Sequence, residues 1–178
     1  MLELSRAMPL ILAQLNSSDR AAFTSALGHL FEHSPWVAEE TWARRPFRDA
    51  AHLHAELCAT MRAAPLVQQR ALIEAHPDLA GRLARQNQLT AESTREQASA
   101  GLSRLSDAEL AEFQKLNDRY RQKFGFPFII CARLNAKDAI LAAMKTRIGN
   151  SPEQEFAAAL GEIEKIAELR LNDALRPD

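Results

Sequence analysis

A chain of 178 residues, 47 % of them hydrophobic, can close a core without disulfide or metal staples, and a single domain is the natural reading. Its 22 basic and 23 acidic residues leave a net charge of −1, which argues against a general nucleic-acid or polyanion binder with its basic excess. The only two cysteines, Cys58 and Cys131, lie far apart without metal-ligand spacing, as in a protein of a reducing compartment.

The start, Met1 to Leu12, lacks a basic head followed by an apolar run and a small-residue cleavage site, so a secretory leader is not expected. No run of about 18 apolar residues occurs, so no membrane span is expected and a cytoplasmic protein is the default. Ser17, Ser18 and Asp19 offer an N-cap, and Phe23, Leu27, Leu30 and Phe31 follow with helical spacing. Pro35 opens a short helix with Trp36, Val37 and Trp42, and Pro46 breaks it. Asp49 caps the next helix, whose inner face is Leu53, Leu57 and Met61. Pro65 suits the first position of a helix carrying Leu66, Ile73 and His76. Pro77 disfavours helical geometry at His76 and ends that helix, after which Asp78 caps a short turn through Leu79 and Leu83.

Thr90 to Leu102 reads as a helix closed by Gly101 as its C′ residue. Ser106 and Glu109 form a capping box for a helix with the stripe Leu110, Phe113, Leu116, Tyr120 and Phe124, stopped by Gly125. Phe126 to Ala132 is the one apolar run of β-like composition. Pro127 removes a donor from it and no second strand offers itself, so it reads as a buried, extended connector. Its backbone groups then need partners, from surrounding helices or from a ligand. Asn135-x-x-Asp138 opens a helix with Ile140, Leu141, Met144 and Ile148, closed by Gly149. Ser151-Pro152-Glu153-Gln154 starts the last helix, which runs to about Leu175. The expectation is one all-α domain over residues 1–178, of about eight helices, some short, with one extended buried connector.

Three places can carry chemistry. Ser93, Glu96 and Gln97 stand at i, i+3 and i+4, so one helix face bears a hydroxyl, a carboxylate and an amide. Ser93-x-x-Glu96 is equally a capping box that only closes a helix start. Arg170 lies at the edge of an apolar stripe of Phe156, Leu160, Ile163, Ala167 and Ala174, which spans about 80° of arc on a helical wheel. A guanidinium there needs a partner: a buried carboxylate, water reached by snorkelling, or an anionic planar substrate that takes its bidentate fork. His76 is either a core or capping histidine or a group for proton transfer near neutral pH. His29 and His33 have metal-ligand spacing, but no intervening Glu and no third ligand, so no metal site is expected. Gly-rich phosphate loops and nucleophile elbows are absent from the sequence.

His76-Pro77-Asp78-Leu79-Ala80-Gly81-Arg82, then Ser93-x-x-Glu96-Gln97, then Phe124-Gly125-Phe126-Pro127-Phe128-Ile129 occur in this order. With Phe31 to Glu39 upstream and Ile166-Ala167-x-Leu169-Arg170-Leu171 downstream, they resemble the ureidoimidazoline (OHCU) decarboxylases of urate breakdown. The resemblance runs from about Asn16 to Leu171, and residues 1–15 look like a variable start. It implies an all-helical, usually homodimeric enzyme without metal or cofactor. Its substrate would be 2-oxo-4-hydroxy-4-carboxy-5-ureidoimidazoline and its product (S)-allantoin. Carried over by motif, His76 is the proton-transfer residue, Glu96 holds it or a ureido N–H, and Arg170 binds a carboxylate or ring carbonyl. Pro77, Ser93 and Gln97, with the backbone of Phe128, Ile129, Ile130, Cys131 and Ala132, bind the substrate. A rival from another class is a helical binding module, because His76-Pro77-Asp78 also marks the J-domain co-chaperones. Those have a basic helix before the tripeptide, whereas Leu66 to Ala75 here contains only Arg70 as a cation, with Glu74.

Overall fold

Local punctuation decides most of the helix ends. The computed structural model describes residues 10–81 and 88–175. Among them are nine α-helices: α1 Leu12–Ser17, α2 Arg20–Leu27, α3 Trp36–Thr41, α4 Ala50–Ala63, α5 Leu66–Glu74, α6 Ala91–Ser99, α7 Asp107–Phe124, α8 Lys137–Arg147 and α9 Pro152–Ala174. Three 3₁₀ turns accompany them, Gly28–Leu30, Trp42–Arg44 and Ala132–Leu134. The all-α expectation holds: the described residues contain no strand, only an isolated parallel bridge of Leu10 with Leu175. None of the described helices is long and apolar enough to cross a membrane.

The chain gathers into two compact units, Met1–Ala63 with Ala167–Asp178, and Ala64–Ile166. In the first, Asp19 caps α2 by accepting from Ala22 N–H at 2.8 Å, and Asp49 accepts from His52 N–H at 2.7 Å at the start of α4. The helical spacing of Phe23, Leu27, Leu53, Leu57 and Met61 puts all five fully inside, with Leu30, Phe31, Val37 and Phe47. Each such side chain contributes roughly 1.5–3 kcal/mol by leaving water. Thr41, buried in that core, donates to the Val37 carbonyl and meets the Thr60 hydroxyl at 2.8 Å, so neither hydroxyl is left unsatisfied.

In the second unit, α7 begins with the full Ser106–Glu109 capping box and ends at Gly125, whose φ of 76° is left-handed. Its buried stripe of Phe113, Leu116, Tyr120 and Phe124 meets the connector. Tyr120 stacks edge-on against Phe128 at 5.3 Å, and Phe124 lies along Phe126 at 6.0 Å. The stretch from Phe126 to Ala132 is buried throughout and stays out of helix as far as Cys131, which has extended backbone; Ala132 opens a 3₁₀ turn. Ser151 and Gln154 bond reciprocally at the start of α9.

Three local expectations are corrected. Pro65 stands at the N-cap, one residue before the helix. The Ser93–Glu96 capping box does not form; α6 starts earlier and is capped by Thr90, which accepts from Ser93 N–H at 3.2 Å. Asn135 does not cap α8, whose N-cap is Ala136; its amide donates to the Cys131 carbonyl at 2.9 Å. The last helix runs to Ala174, in line with the expected end near Leu175. The turn expected through Leu83 lies outside the described residues, as do residues 1–9 of the expected variable start.

Candidate active site

His76 follows α5 directly. Pro77 has no N–H to continue the ladder, so the helix closes with Ala75 and His76 bonded back to Ala71 and Ile73. The imidazole is buried, and its Nδ1 lies 2.9 Å from the Leu72 carbonyl. A carbonyl only accepts, so Nδ1 carries a proton and donates it there, which fixes the ring's orientation.

The loop that follows is tied down from two helices. Gln97, on α6, accepts from Ala80 N–H at 3.0 Å through Oε1 and reaches the Asp78 carbonyl at 3.5 Å through Nε2. Asn117, on α7, donates to the Leu79 carbonyl at 2.9 Å, and one turn further Arg121 pairs with the Asp78 carboxylate at 2.8 Å. The Asp78 side chain is therefore engaged by Arg121. Ala80 takes a left-handed φ of 50° within this tethered loop.

With Thr90 as the cap, Ser93 becomes an interior residue of α6. Ser93 and Gln97 are buried and Glu96 is half-buried. Burial pushes the Cys131 thiol up, and α6 packs on the 3₁₀ turn Ala132–Leu134 that closes the connector. Helix α6 thus links the His76 loop, through Gln97, to the connector. Among the connector's groups, Cys131 N–H donates to Glu162 Oε2 at 2.8 Å and the Ile129 carbonyl accepts from Arg147 at 2.8 Å. The Arg147 guanidinium also stacks over the Phe128 ring at 4.4 Å.

Arg147 is held in turn by Glu155, which is fully buried and also accepts from Asn150 and Tyr120. Burial alone pushes the Glu155 carboxyl up, but the bonds from Arg147, Tyr120 and Asn150 together leave it below the ordinary value. Burial, then Glu155, push the Tyr120 hydroxyl well above its usual value.

Arg170 belongs to the first unit. It is buried and forms an ion pair with buried Glu32, from both terminal nitrogens to Oε2 at 3.2 and 3.1 Å, and it also reaches the His29 and Leu30 carbonyls. His33 Nε2 lies 3.9 Å from the other Glu32 oxygen. Among the described residues, no group of three His, Cys, Asp or Glu side chains is placed to hold a metal ion.

Sequence reasoning missed Asn117, Arg147, Glu155, Glu162 and the partner role of Glu32. Two of these left a signal. Asn117 interrupts the apolar stripe of α7, four residues after Phe113 and three before Tyr120. Glu155 stands one turn before Ala159, on the buried side of α9.

The described chain is all-α, and in it a buried histidine precedes a loop that Gln97 ties to α6. A family model described as OHCU decarboxylase matches residues 16–172. A 2-oxo-4-hydroxy-4-carboxy-5-ureidoimidazoline decarboxylase of Amia calva is 40 % identical over 163 residues, 92 % of this chain and 93 % of that one. One of Halalkalicoccus jeotgali is 43 % identical over 168 residues, covering 94 % and 93 %. A crystal structure of (S)-allantoin synthase superposes with a TM-score of 0.74 at 34 % identity, covering 94 % of this chain and 54 % of that one, so this chain spans about half of it. A crystal structure of OHCU decarboxylase in the presence of (S)-allantoin shares the fold, with a TM-score of 0.66 at 24 % identity. The chain belongs to the OHCU decarboxylase family.

Proposed function

We propose that this protein decarboxylates 2-oxo-4-hydroxy-4-carboxy-5-ureidoimidazoline to (S)-allantoin, a step of urate breakdown, with His76 as the proton-transfer residue. The enzyme is a carboxy-lyase. The lost carboxylate stands on a carbon next to an imine carbon. As carbon dioxide leaves, the electron pair of the broken C–C bond moves through the ring onto the imine nitrogen, which takes up a proton. The ring is its own electron sink, so the chemistry asks for neither pyridoxal nor metal. Proton delivery to one face of the carbon bearing the ureido group, with loss of the hydroxyl proton, restores a ring carbonyl and sets the S centre.

The observation that carries this reading is the Leu72 carbonyl on Nδ1, which fixes the orientation of the buried His76 ring. A buried base of fixed orientation suits a proton passed to one face only. Glu96 is assigned to orient His76 or a ureido N–H. Ser93 and Gln97, with Pro77 and the Phe128–Ala132 backbone, line the substrate's ring and ureido edges. Arg170 is assigned to a substrate carboxylate or ring carbonyl, with Glu32 fixing its guanidinium. The working form is a cytoplasmic homodimer acting as one decarboxylase domain; sedimentation of the purified protein as a monomer would remove the dimer.

The test uses freshly generated substrate, which is expected to decay unaided to racemic allantoin, and follows optical activity. Wild type should give a fast signal of one sign, and His76→Asn should lose about 10²–10⁴-fold of it. A signal that survives in the variant removes His76 from the proton transfer. No signal from folded wild type removes the decarboxylase.

A further inference from the structure

The buried stripe of α7 has one polar member. Asn117 is 5 % exposed, between apolar turns that carry Phe113 and Tyr120. Its amide orientation is fixed chemically: the Leu79 carbonyl only accepts, so the NH₂ group must face it, at 2.9 Å. The carbonyl oxygen Oδ1 therefore points the other way. It is buried and finds no hydrogen-bond partner among the described residues. An orphaned buried acceptor is costly and uncommon, and asks for a donor from beyond the described residues.

Its place says which donor. Leu79, which Asn117 holds, lies three residues beyond His76. Tyr120, one turn along the same face, packs on Phe128 of the connector. Asn117 thus sits on the face of α7 that meets both segments assigned to the substrate. Of the residues assigned to the ureido arm (Ser93, Glu96 and Gln97), Gln97 already gives its oxygen to Ala80 N–H and its nitrogen to the Asp78 carbonyl. The substrate brings N–H donors on its ureido arm, and these need an acceptor.

We propose that Asn117 is a substrate-recognising residue, its NH₂ holding the His76 loop while its Oδ1 accepts a ureido N–H of the bound substrate or product. This rests on the decarboxylase reading above. The rival occupant of Oδ1 is a buried water.

The experiment compares (S)-allantoin with hydantoin, the same ring without the ureido arm, by calorimetry on wild type, Asn117→Leu and Asn117→Asp, with wild-type turnover measured alongside. Asn117→Leu should weaken allantoin by at least about tenfold and leave hydantoin nearly unchanged. Asn117→Asp keeps an oxygen acceptor and should keep the preference for allantoin. In ¹³C-asparagine-labelled wild type, the Asn117 side-chain carbonyl resonance should move with allantoin and stay put with hydantoin, a readout that needs no variant to fold. Equal loss of both ligands in Asn117→Leu, or a carbonyl resonance that answers both alike, overturns the proposal and leaves Asn117 as a loop tether. A wild type that neither turns over substrate nor binds allantoin removes the decarboxylase reading itself, and this one with it.

Discussion

Glu96 and Arg170 are charged residues assigned to the same reaction, and their surroundings set different tests. Glu96 is half-buried on α6, so Glu96→Gln keeps shape and burial and removes only the charge. If that charge orients His76, turnover should fall at least tenfold, about 1.4 kcal/mol, while allantoin affinity stays within a few-fold. An unchanged rate in single-turnover measurements removes Glu96 from the mechanism. Arg170 and Glu32 are both buried, with side chains 4 % and 2 % exposed. Arg170→Met strands a carboxylate and should cost about 3–5 kcal/mol in urea unfolding, while Arg170→Met with Glu32→Leu should recover most of it. If activity stays lost in that restored double variant, Arg170 has a role beyond its ion pair. The partner was invisible in the sequence because it lies 138 positions away. Periodicity shows that Arg170 is buried, and only the tertiary fold shows what it meets.

At the scale of elements, legibility follows the range of the interaction. Asp19, Asp49, Ser106 and Ser151 cap helices that their own next residues begin, so a window of four residues contains the whole cause. Gly101 and Gly125 close α6 and α7 at positive φ for the same local reason. Where two capping residues compete, that window is not enough. Thr90 and Ser93 each have the right chemistry, and Thr90 wins because a start there lets Ser93 and Gln97 turn inward, where Gln97 meets Ala80. Asn135 is lost to the Cys131 carbonyl for a similar reason: the bend after the connector needs a donor. The connector itself was legible as extended and buried, whereas its ties to Arg147 and Glu162 were not. Since the α7 cap is local, Ser106→Ala should cost about 1 kcal/mol in urea unfolding, with α6 intact by amide exchange. A loss above about 3 kcal/mol would mean the box has a tertiary role as well.

For the whole molecule, the buried Glu155 network makes stability a function of pH. Its folded carboxyl lies below the ordinary glutamate value, so it binds a proton less readily folded than unfolded. That contribution is fully present above the unfolded value of about 4.3 and is lost as pH falls through the lower folded value. Urea midpoints for wild type should therefore drop from pH 5 toward pH 3 more steeply than those of Glu155→Gln, which starts less stable at neutral pH. Parallel curves would show that Glu155 is not part of the acid response.

The ties around the candidate site share one construction. Leu72, Ala80 and Leu79 are held near His76, and Ile129 and Cys131 in the connector, each through a main-chain carbonyl or N–H. One half of every bond is thus present whatever residue occupies the position, proline at 80 or 131 excepted. A substitution at 72, 79, 80, 129 or 131 therefore costs packing, since all five side chains are buried, but leaves the tether in place. The tethers themselves are lost by substitution of the five residues that reach toward them: His76, Gln97, Asn117, Arg147 and Glu162.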